Sequence, residues 1–428
     1  MRTLALSALT IGLAAALLAG CVARNNMPPM GAPATSGQTL RTMTSSFQVL
    51  HRFGRHDKTR GGASPAGPLL DVNGTLYGTT SNGGLGGYGG NGLVYSITTT
   101  GATKVLYLFG GYTEGDGSSP VDGVIDVNGT LYGATRAGGH CDDGTVYSLS
   151  ATGRETVLHS FCYSSGGNAS GGLIDVNGTL YGVTARGGSS NDGTVYRLSA
   201  SGAYKVLYSF KGGTDGVTPV GTLLNVKGTL YGVTFNGGSS CHNSGGGCGT
   251  VYSVTTSGQE TVLHRFSGSP DGALPEAGLI DVKGRLYGTT TAGGLATSTL
   301  CAGGGCGTVY SITTSGTENV LYRMSGGSHG ASPEASLLEM NGTLYGTTSY
   351  GGLVTCGHGT YSLSCGTVFS MTTRGKNERD LHEFRGSDGA TPDYLIDLNN
   401  VLYGTALRGG YVDTCGTNGC GTVFAFTP

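Results

Sequence analysis

From Leu69 to the end of the chain, short apolar runs and polar breaks recur in one fixed order. In the third copy, Gly172 to Val176 is an apolar run and Asn177-Gly178 breaks it. Thr179 to Thr184 follows, then a Gly-Gly loop, an alternating run from Gly193 to Leu198, a Ser-Gly turn, and a last run from Val206 to Phe210. Runs of this length with alternating apolar positions predict half-buried antiparallel strands, four to a unit. Asn-Gly between two such runs predicts a type I′ hairpin, whose two central residues both need positive φ. The other units carry Asn73-Gly74, Asn128-Gly129, Lys227-Gly228, Lys283-Gly284, Asn341-Gly342 and Asn399-Asn400 at the same place.

One tyrosine marks each unit, at Tyr77, Tyr132, Tyr181, Tyr231, Tyr287, Tyr345 and Tyr403, at intervals of 49 to 58 residues. That is the period of a propeller blade, and about twice the coil of a parallel β-helix. The fourth-strand pattern also occurs before the first complete unit, as Phe47 to Phe53, whereas the chain ends on a third strand, Gly421 to Phe426. The expected fold is therefore all-β: a seven-bladed β-propeller of four-stranded antiparallel blades. The N-terminal strand should complete the last blade, leaving no open edge.

A strand followed by Gly-Gly and then a Val-Tyr strand resembles the kelch repeat, without the kelch tryptophan. Over residues 47–428 the LYGTT…GG…GTVYS pattern is similar to the GloVer tandem-repeat proteins, a bacterial surface family. The resemblance implies an anchored, propeller-like repeat protein and carries over no catalytic residue.

The N-terminus adds an address. Arg2, an apolar run from Leu4 to Leu18, and Leu18-Ala19-Gly20-Cys21 resemble a bacterial lipoprotein signal. This predicts a signal peptide over residues 1–20, an acylated Cys21 and flexible tether over 21–44, and the propeller over 45–428. Acyl chains on Cys21 would hold the protein to a membrane without a spanning helix. Val22 after the cysteine points to the outer membrane, the protein facing periplasm or cell surface. The expected state is a monomer.

Ten further cysteines suit an oxidising compartment. Eight fall as pairs inside the Gly-Gly loops, Cys241/Cys248, Cys301/Cys306, Cys356/Cys365 and Cys415/Cys420, and Cys141 and Cys162 remain. Five disulfides are expected. Zinc is the rival reading, with His242 and His358 beside cysteines, but the spacing within each pair does not fit zinc-ligand motifs. No metal site and no cofactor is assigned.

Charged residues are only 12% of the chain and the net charge is −2, with no basic stripe, which excludes a nucleic-acid partner. There is no G-x-S-x-G elbow, H-E-x-x-H or P-loop lysine. Residues shared by all seven units read as scaffold. Asp116, Asp215, Asp271 and Asp388, each before glycine in the segments between blades, read as turn residues rather than a cation ring. The first-strand acids, such as Asp71 and Asp281, read the same way. His51, His159, His264 and His382 alternate with tyrosine on the fourth strand and read as packing residues.

Function should lie on the Gly-Gly loop face, where the loops vary. The candidates there are Arg136, Arg186, Phe235, Asn236, Tyr350 and Arg408, which could contact an anionic or glycan ligand. His140, His242, His329 and His358 belong to the same face. The leading expectation is a binding or adhesion module for a glycan, small-molecule or protein ligand at the cell envelope. The alternatives are a lyase or hydrolase with an axial site on that face, and a scaffold for envelope proteins.

Overall fold

The computed structural model describes residues 46–54, 61–84, 89–111, 115–241, 246–295, 301, 304–352, 356, 365–410, 415 and 418–428. The expectations for Cys21, the tether, His242 and His358 fall outside these residues. Ser45–Pro428 forms a compact unit of its own. Among the described residues no helix is long and apolar enough to cross a membrane.

Each repeat folds into four antiparallel strands in chain order, the first innermost. In the first blade these are Ala63–Val72, Thr75–Asn82, Leu93–Thr98 and Thr103–Leu108. The inner strand is split in two in the third blade, as Gly167–Ala169 and Ile174–Val176, and in the fifth, as Gly272–Ala273 and Ile280–Val282. The seventh blade closes the ring. Its strands Ala390–Leu398, Val401–Arg408 and Thr422–Thr427 are completed by Ser46–Arg52, with Phe47 opposite Phe426 and Arg52 opposite Thr422. Seven four-stranded blades and the N-terminal closing strand match the sequence expectation.

The Asn-Gly hairpins adopt the backbone that their residues favour. Asn73, Asn128, Asn177, Lys227, Lys283 and Asn341 have φ between 53° and 55°, and Asn399 and Asn400 have φ of 58° and 62°. The first-strand acid closes the turn: Gly74 donates to Asp71 Oδ1 at 2.8 Å and Gly284 to Asp281 Oδ1 at 2.8 Å. These carboxylates are spoken for.

Blades join through aromatic rings. The phenylalanine ending one outer strand meets the third-strand tyrosine of the next blade edge-on. Phe53 on Tyr95, Phe109 on Tyr147 and Phe161 on Tyr196 have centroids 5.2, 5.1 and 5.2 Å apart. Phe210–Tyr252, Phe266–Tyr310 and Phe384–Phe424 continue the ring. At the remaining seam Met324 and Phe369 share one buried cluster. Edge-on geometry places the positive ring edge against the negative face of its neighbour, adding to the area buried.

The inner strands bulge toward the axis, and this positions the site. In the first blade pairing passes from Ala66↔Thr79 to Leu70↔Tyr77, so Gly67, Pro68 and Leu69 stand opposite Gly78 alone. Gly67 has φ +76°, and a Cβ there would lie 2.2 Å from the Asp122 backbone. The inner strands of adjacent blades therefore meet backbone to backbone at their bulges, around the central axis.

Candidate functional site

A cavity of about 800 Å³ runs along the axis from the Gly-Gly loop face to these bulges. All seven blades contribute the residue that opens the bulge: Ala66, Val121, Ser170, Val220, Glu276, Glu334 and Asp393. Four blades place a small or apolar side chain there and three consecutive blades place a carboxylate. A fourth carboxylate, Asp122, enters from the next position of the second blade, where the first, third and fourth blades carry Gly67, Gly171 and Gly221. The scaffold does not require these acids, since other copies of the same strand fold without them.

Neighbouring blades hold the acids in place. Asp122 Oδ2 accepts from Gly172 N at 2.5 Å and from Thr222 Oγ1 at 2.9 Å. Asp393 Oδ2 accepts from Gly67 N at 3.0 Å, across the closing seam. The Tyr394 hydroxyl interacts with Asp122 and Ser336. Thr79 Oγ1 donates to the Asp122 carbonyl at 2.7 Å and Thr347 Oγ1 to the Asp393 carbonyl at 2.9 Å, fixing both backbones.

Crowding four acids into one cavity changes their acidity. Burial pushes Asp393 up to about 7, with Asp122 and Glu334 adding to the rise. Burial, with Glu334 beside it, pushes Glu276 up to about 7. Asp122 and Glu334 are also raised by burial; hydrogen bonds and the charges of Arg136 and Arg408 respectively oppose this. Near neutral pH the cluster shares protons instead of carrying four full charges. It can donate as well as accept hydrogen bonds.

Of the residues singled out from sequence, Arg136, Arg186 and Phe235 line this cavity. Arg136 and Arg186 come from the second and third blades, across the ring from Glu276, Glu334 and Asp393 on the fifth to seventh. Arg408 is exposed, and its charge reaches Glu334. Tyr350 departs from the group: it packs against a buried cluster, and its backbone pairs with Ala331. Asn236 lies beside Gly246 in the Gly-Gly loop of the fourth blade. His140 is exposed.

The aspartates between blades act as turn residues with an added duty. Asp116 Oδ2 accepts from Gly110 N at 2.7 Å and from the Tyr107 hydroxyl at 2.8 Å. Asp271 Oδ2 and Asp388 Oδ2 lie 3.2 and 3.1 Å from Nε2 of His264 and His382. The alternating Tyr and His of the outer strands thus pack in the seams and also anchor these turns. Disulfides Cys141–Cys162, Cys241–Cys248, Cys301–Cys306, Cys356–Cys365 and Cys415–Cys420 brace the loop face.

Glu276, Glu334, Asp393, Asp122 and Tyr394 carry the electrostatics of the cavity, and they escape a reading that follows the shared residues of each repeat. The signal is the position after the repeat's proline for three of them, Pro275-Glu276, Pro333-Glu334 and Pro392-Asp393 against Pro65-Ala66, Pro120-Val121 and Pro219-Val220, and the next position for Asp122 and Tyr394.

Comparison with known proteins gives a family match. Residues 34–246 match the model described as the Gloeobacter/Verrucomicrobia repeat. No curated protein matches. Among solved structures, the PQQ-bound aldose sugar dehydrogenase of Streptomyces coelicolor aligns at 12% identity and TM-score 0.43, covering 90% of this chain and 98% of that one. PorZ of Porphyromonas gingivalis, a surface component of the type-IX secretion system, aligns at 10% identity and TM-score 0.49, covering 85% of this chain and 46% of that one. TolB of Acinetobacter baumannii aligns at 13% identity and TM-score 0.37, covering 69% of this chain; the chain spans 61% of TolB. The repeat found in the sequence, the blades it builds and the match agree: residues 34–246 carry the Gloeobacter/Verrucomicrobia repeat, and the chain has a seven-bladed propeller fold.

Proposed function

We propose that the protein is an exported, lipid-anchored binding module of the bacterial cell envelope, and that its ligand occupies the axial cavity. The observation that carries this reading is the set of charges that break the repeat. Glu276, Glu334 and Asp393 stand where other blades carry Ala66, Val121, Ser170 and Val220, and all of these positions meet in one cavity. Side chains that differ between copies of one strand, cost mutual repulsion and converge on an opening are what a site needs and a scaffold does not.

The charge layout suggests the ligand's chemistry. An acidic arc from the fifth to seventh blades faces Arg136 and Arg186. Such a cavity suits a small polar molecule with hydroxyl or amino groups at one end and an anionic group at the other, as in an acidic amino sugar. Its volume of about 800 Å³ falls within the roughly 300–1,000 Å³ usual for small-molecule sites. Phe235 offers one aromatic face. Disulfide-braced loops lose less freedom on binding.

The raised pKa values of Asp393 and Glu276, both about 7, support a second reading. A carboxyl group that titrates near working pH can act as a general acid or base, so the same cavity could cleave its ligand.

Calorimetry of the purified chain against neutral sugars, amino sugars, uronic acids and amino acids tests both readings, with product analysis of each mixture. Glu334→Gln and Arg186→Ala should each weaken the ligand found at least tenfold. Tight binding untouched by either change would move the site off the axis; cleavage products would favour the enzyme. For the address, Cys21→Ser should release the protein from the membrane fraction, and continued membrane association would remove the acyl-anchor reading.

A further inference from the structure

A second cluster lies away from the axis, at the outer seam between the fifth and sixth blades. His329 sits in the turn between these blades, and Glu378 and Asp380 begin the outer strand of the sixth. His329 Nδ1 is 3.3 Å from Glu378 Oε2 and 3.7 Å from Asp380 Oδ2. The Tyr322 hydroxyl, from the outer strand of the fifth blade, donates to the same Glu378 oxygen at 3.2 Å.

Two members of this cluster depart from the repeat. His329 occupies the place held by Asp116, Asp215, Asp271 and Asp388 in other seams. Asp380 occupies a place held by Val49, Val105, Val157, Val206, Val262 and Val320 in the six other outer strands. A partly buried carboxylate replacing valine costs solvation, and here it appears only beside the one histidine that replaces aspartate. Both departures meet at one point.

An ion pair alone leaves this cluster unsatisfied. Glu378 is only 9% exposed and its Oε1 is buried with no hydrogen-bond partner, as Oε1 of Glu155, Glu260 and Glu318 is in other blades; particular to this seam is a second orphan on the same strand, Asp380 Oδ1. One imidazolium cannot serve four carboxylate oxygens. The spacing of the inner atoms fits a shared cation: ligands about 2.0–2.1 Å from a tetrahedral Zn²⁺ stand about 3.3–3.4 Å apart. One imidazole and two carboxylates are ligands for a divalent transition metal, and His329 is 51% exposed, leaving an approach from solvent.

We propose that His329, Glu378 and Asp380 bind a divalent transition-metal ion that clasps the outer edges of the fifth and sixth blades. The related trio His264, Asp271 and Glu318 also has orphaned oxygens, Asp271 Oδ1 and Glu318 Oε1, but its Asp271 Oδ2 already accepts from Ser267 N, at 3.0 Å, and pairs with His264, as in an ordinary seam.

The test is titration of tag-free, chelator-treated protein with Zn²⁺ by calorimetry and with Co²⁺ by visible absorption. Asp380→Val and His329→Asp restore residues that the other repeats carry, so both variants should fold; far-ultraviolet circular dichroism checks this. The expected result is one equivalent of metal bound by the wild type, a cobalt absorption band, and at least tenfold weaker binding in each variant. His264→Tyr should bind as the wild type does. No heat and no band in the wild type, or equal affinity in Asp380→Val and His329→Asp, would overturn the proposal.

Discussion

The ring of Phe47 lies flat on the imidazole of His382, with centroids 3.7 Å apart and planes within 3°. One residue lies on the strand that closes the seventh blade and the other on the outer strand of the sixth, so this contact ties the closing strand to the neighbouring blade. Phe47 also stacks on Phe424 at 5.3 Å and meets Phe384 edge-on at 5.6 Å. Phe47→Ala removes all three contacts and opens a cavity between blades. It should cost about 3 kcal/mol, read as a lower urea midpoint. A midpoint equal to that of the wild type would mean the seam holds without the closing strand's side chains.

His159 and Tyr204 repeat the device three blades further round, stacked at 3.8 Å and 3°. At this position the first blade carries Thr103 and the second, fourth, fifth and sixth carry Glu155, Glu260, Glu318 and Glu378, the first three of these acids beside Asp116, Asp215 and Asp271 respectively. An aromatic ring or a carboxylate can fill this seam.

The buried tyrosines of the third strands make a prediction that runs against habit. The hydroxyls of Tyr95, Tyr147, Tyr196, Tyr252 and Tyr310 are buried and have no hydrogen-bond partner among the described residues. The sixth and seventh blades carry Phe369 and Phe424 at this position. Tyr252→Phe should therefore hold or raise stability, by about 1 kcal/mol, because it removes a desolvated hydroxyl without removing the ring. A loss of more than 1 kcal/mol in chemical denaturation would show that the hydroxyl has a partner.

Those hydroxyls press on the glycine of the second strand. A Cβ on Gly182 would stand 2.4 Å from the Tyr196 hydroxyl and 2.6 Å from its Cζ. The glycine is there for space, since its φ is not among the positive values. Gly182→Ala should cost about 1–3 kcal/mol by overpacking. Adding Tyr196→Phe should recover part of the loss; a double variant no better than the single one would place the strain elsewhere.

The circle was easy to read in the chain because its causes are local and repeated seven times. Asn73-Gly74 and its counterparts need positive φ, so turn chemistry locates the hairpins. The surplus strand Phe47 to Phe53 and the missing last strand identify the closure without any coordinates. The cavity was harder. Arg136, Arg186 and Phe235 stood out because their loop positions vary, and they do line it. Asp393 sits inside the inner strand, and Glu276 and Glu334 lie in the irregular stretch that leads into it, where alternation says only that one face is buried. Which face meets the axis depends on the bulge at Gly67 and its counterparts, a product of packing between blades. Tyr350 shows the reverse: a variable position can still belong to the core.

The axial acids give the fold a pH dependence whose direction follows from their shifts. Asp393 and Glu276 titrate at about 7 in the folded protein, against 3.8 and 4.5 for the unperturbed groups. Between those values the folded chain holds more protons than the unfolded one, so stability falls as pH rises and levels off above about 7. Glu155 and Glu260, also near 7 by burial, act in the same direction. Asp271 and Asp388 act oppositely. Hydrogen bonds from histidine and backbone outweigh their burial and hold them below 3.8, so their stabilisation is present above that value and lost as pH falls through the folded value. The melting temperature should therefore peak near pH 4–5 and decline toward pH 7.5. Asp393→Asn removes one of the raised groups without changing its size. It should flatten the decline and raise stability at pH 7.5 by about 1–2 kcal/mol, once screening by water in the open cavity is allowed for. It should change little at pH 4.5, where Asp393 is already protonated. Calorimetric melting across this range checks the pattern. A wild-type curve that rises from pH 5 to 7.5, or an Asp393→Asn curve parallel to it, would mean that the axial carboxylates ionise freely.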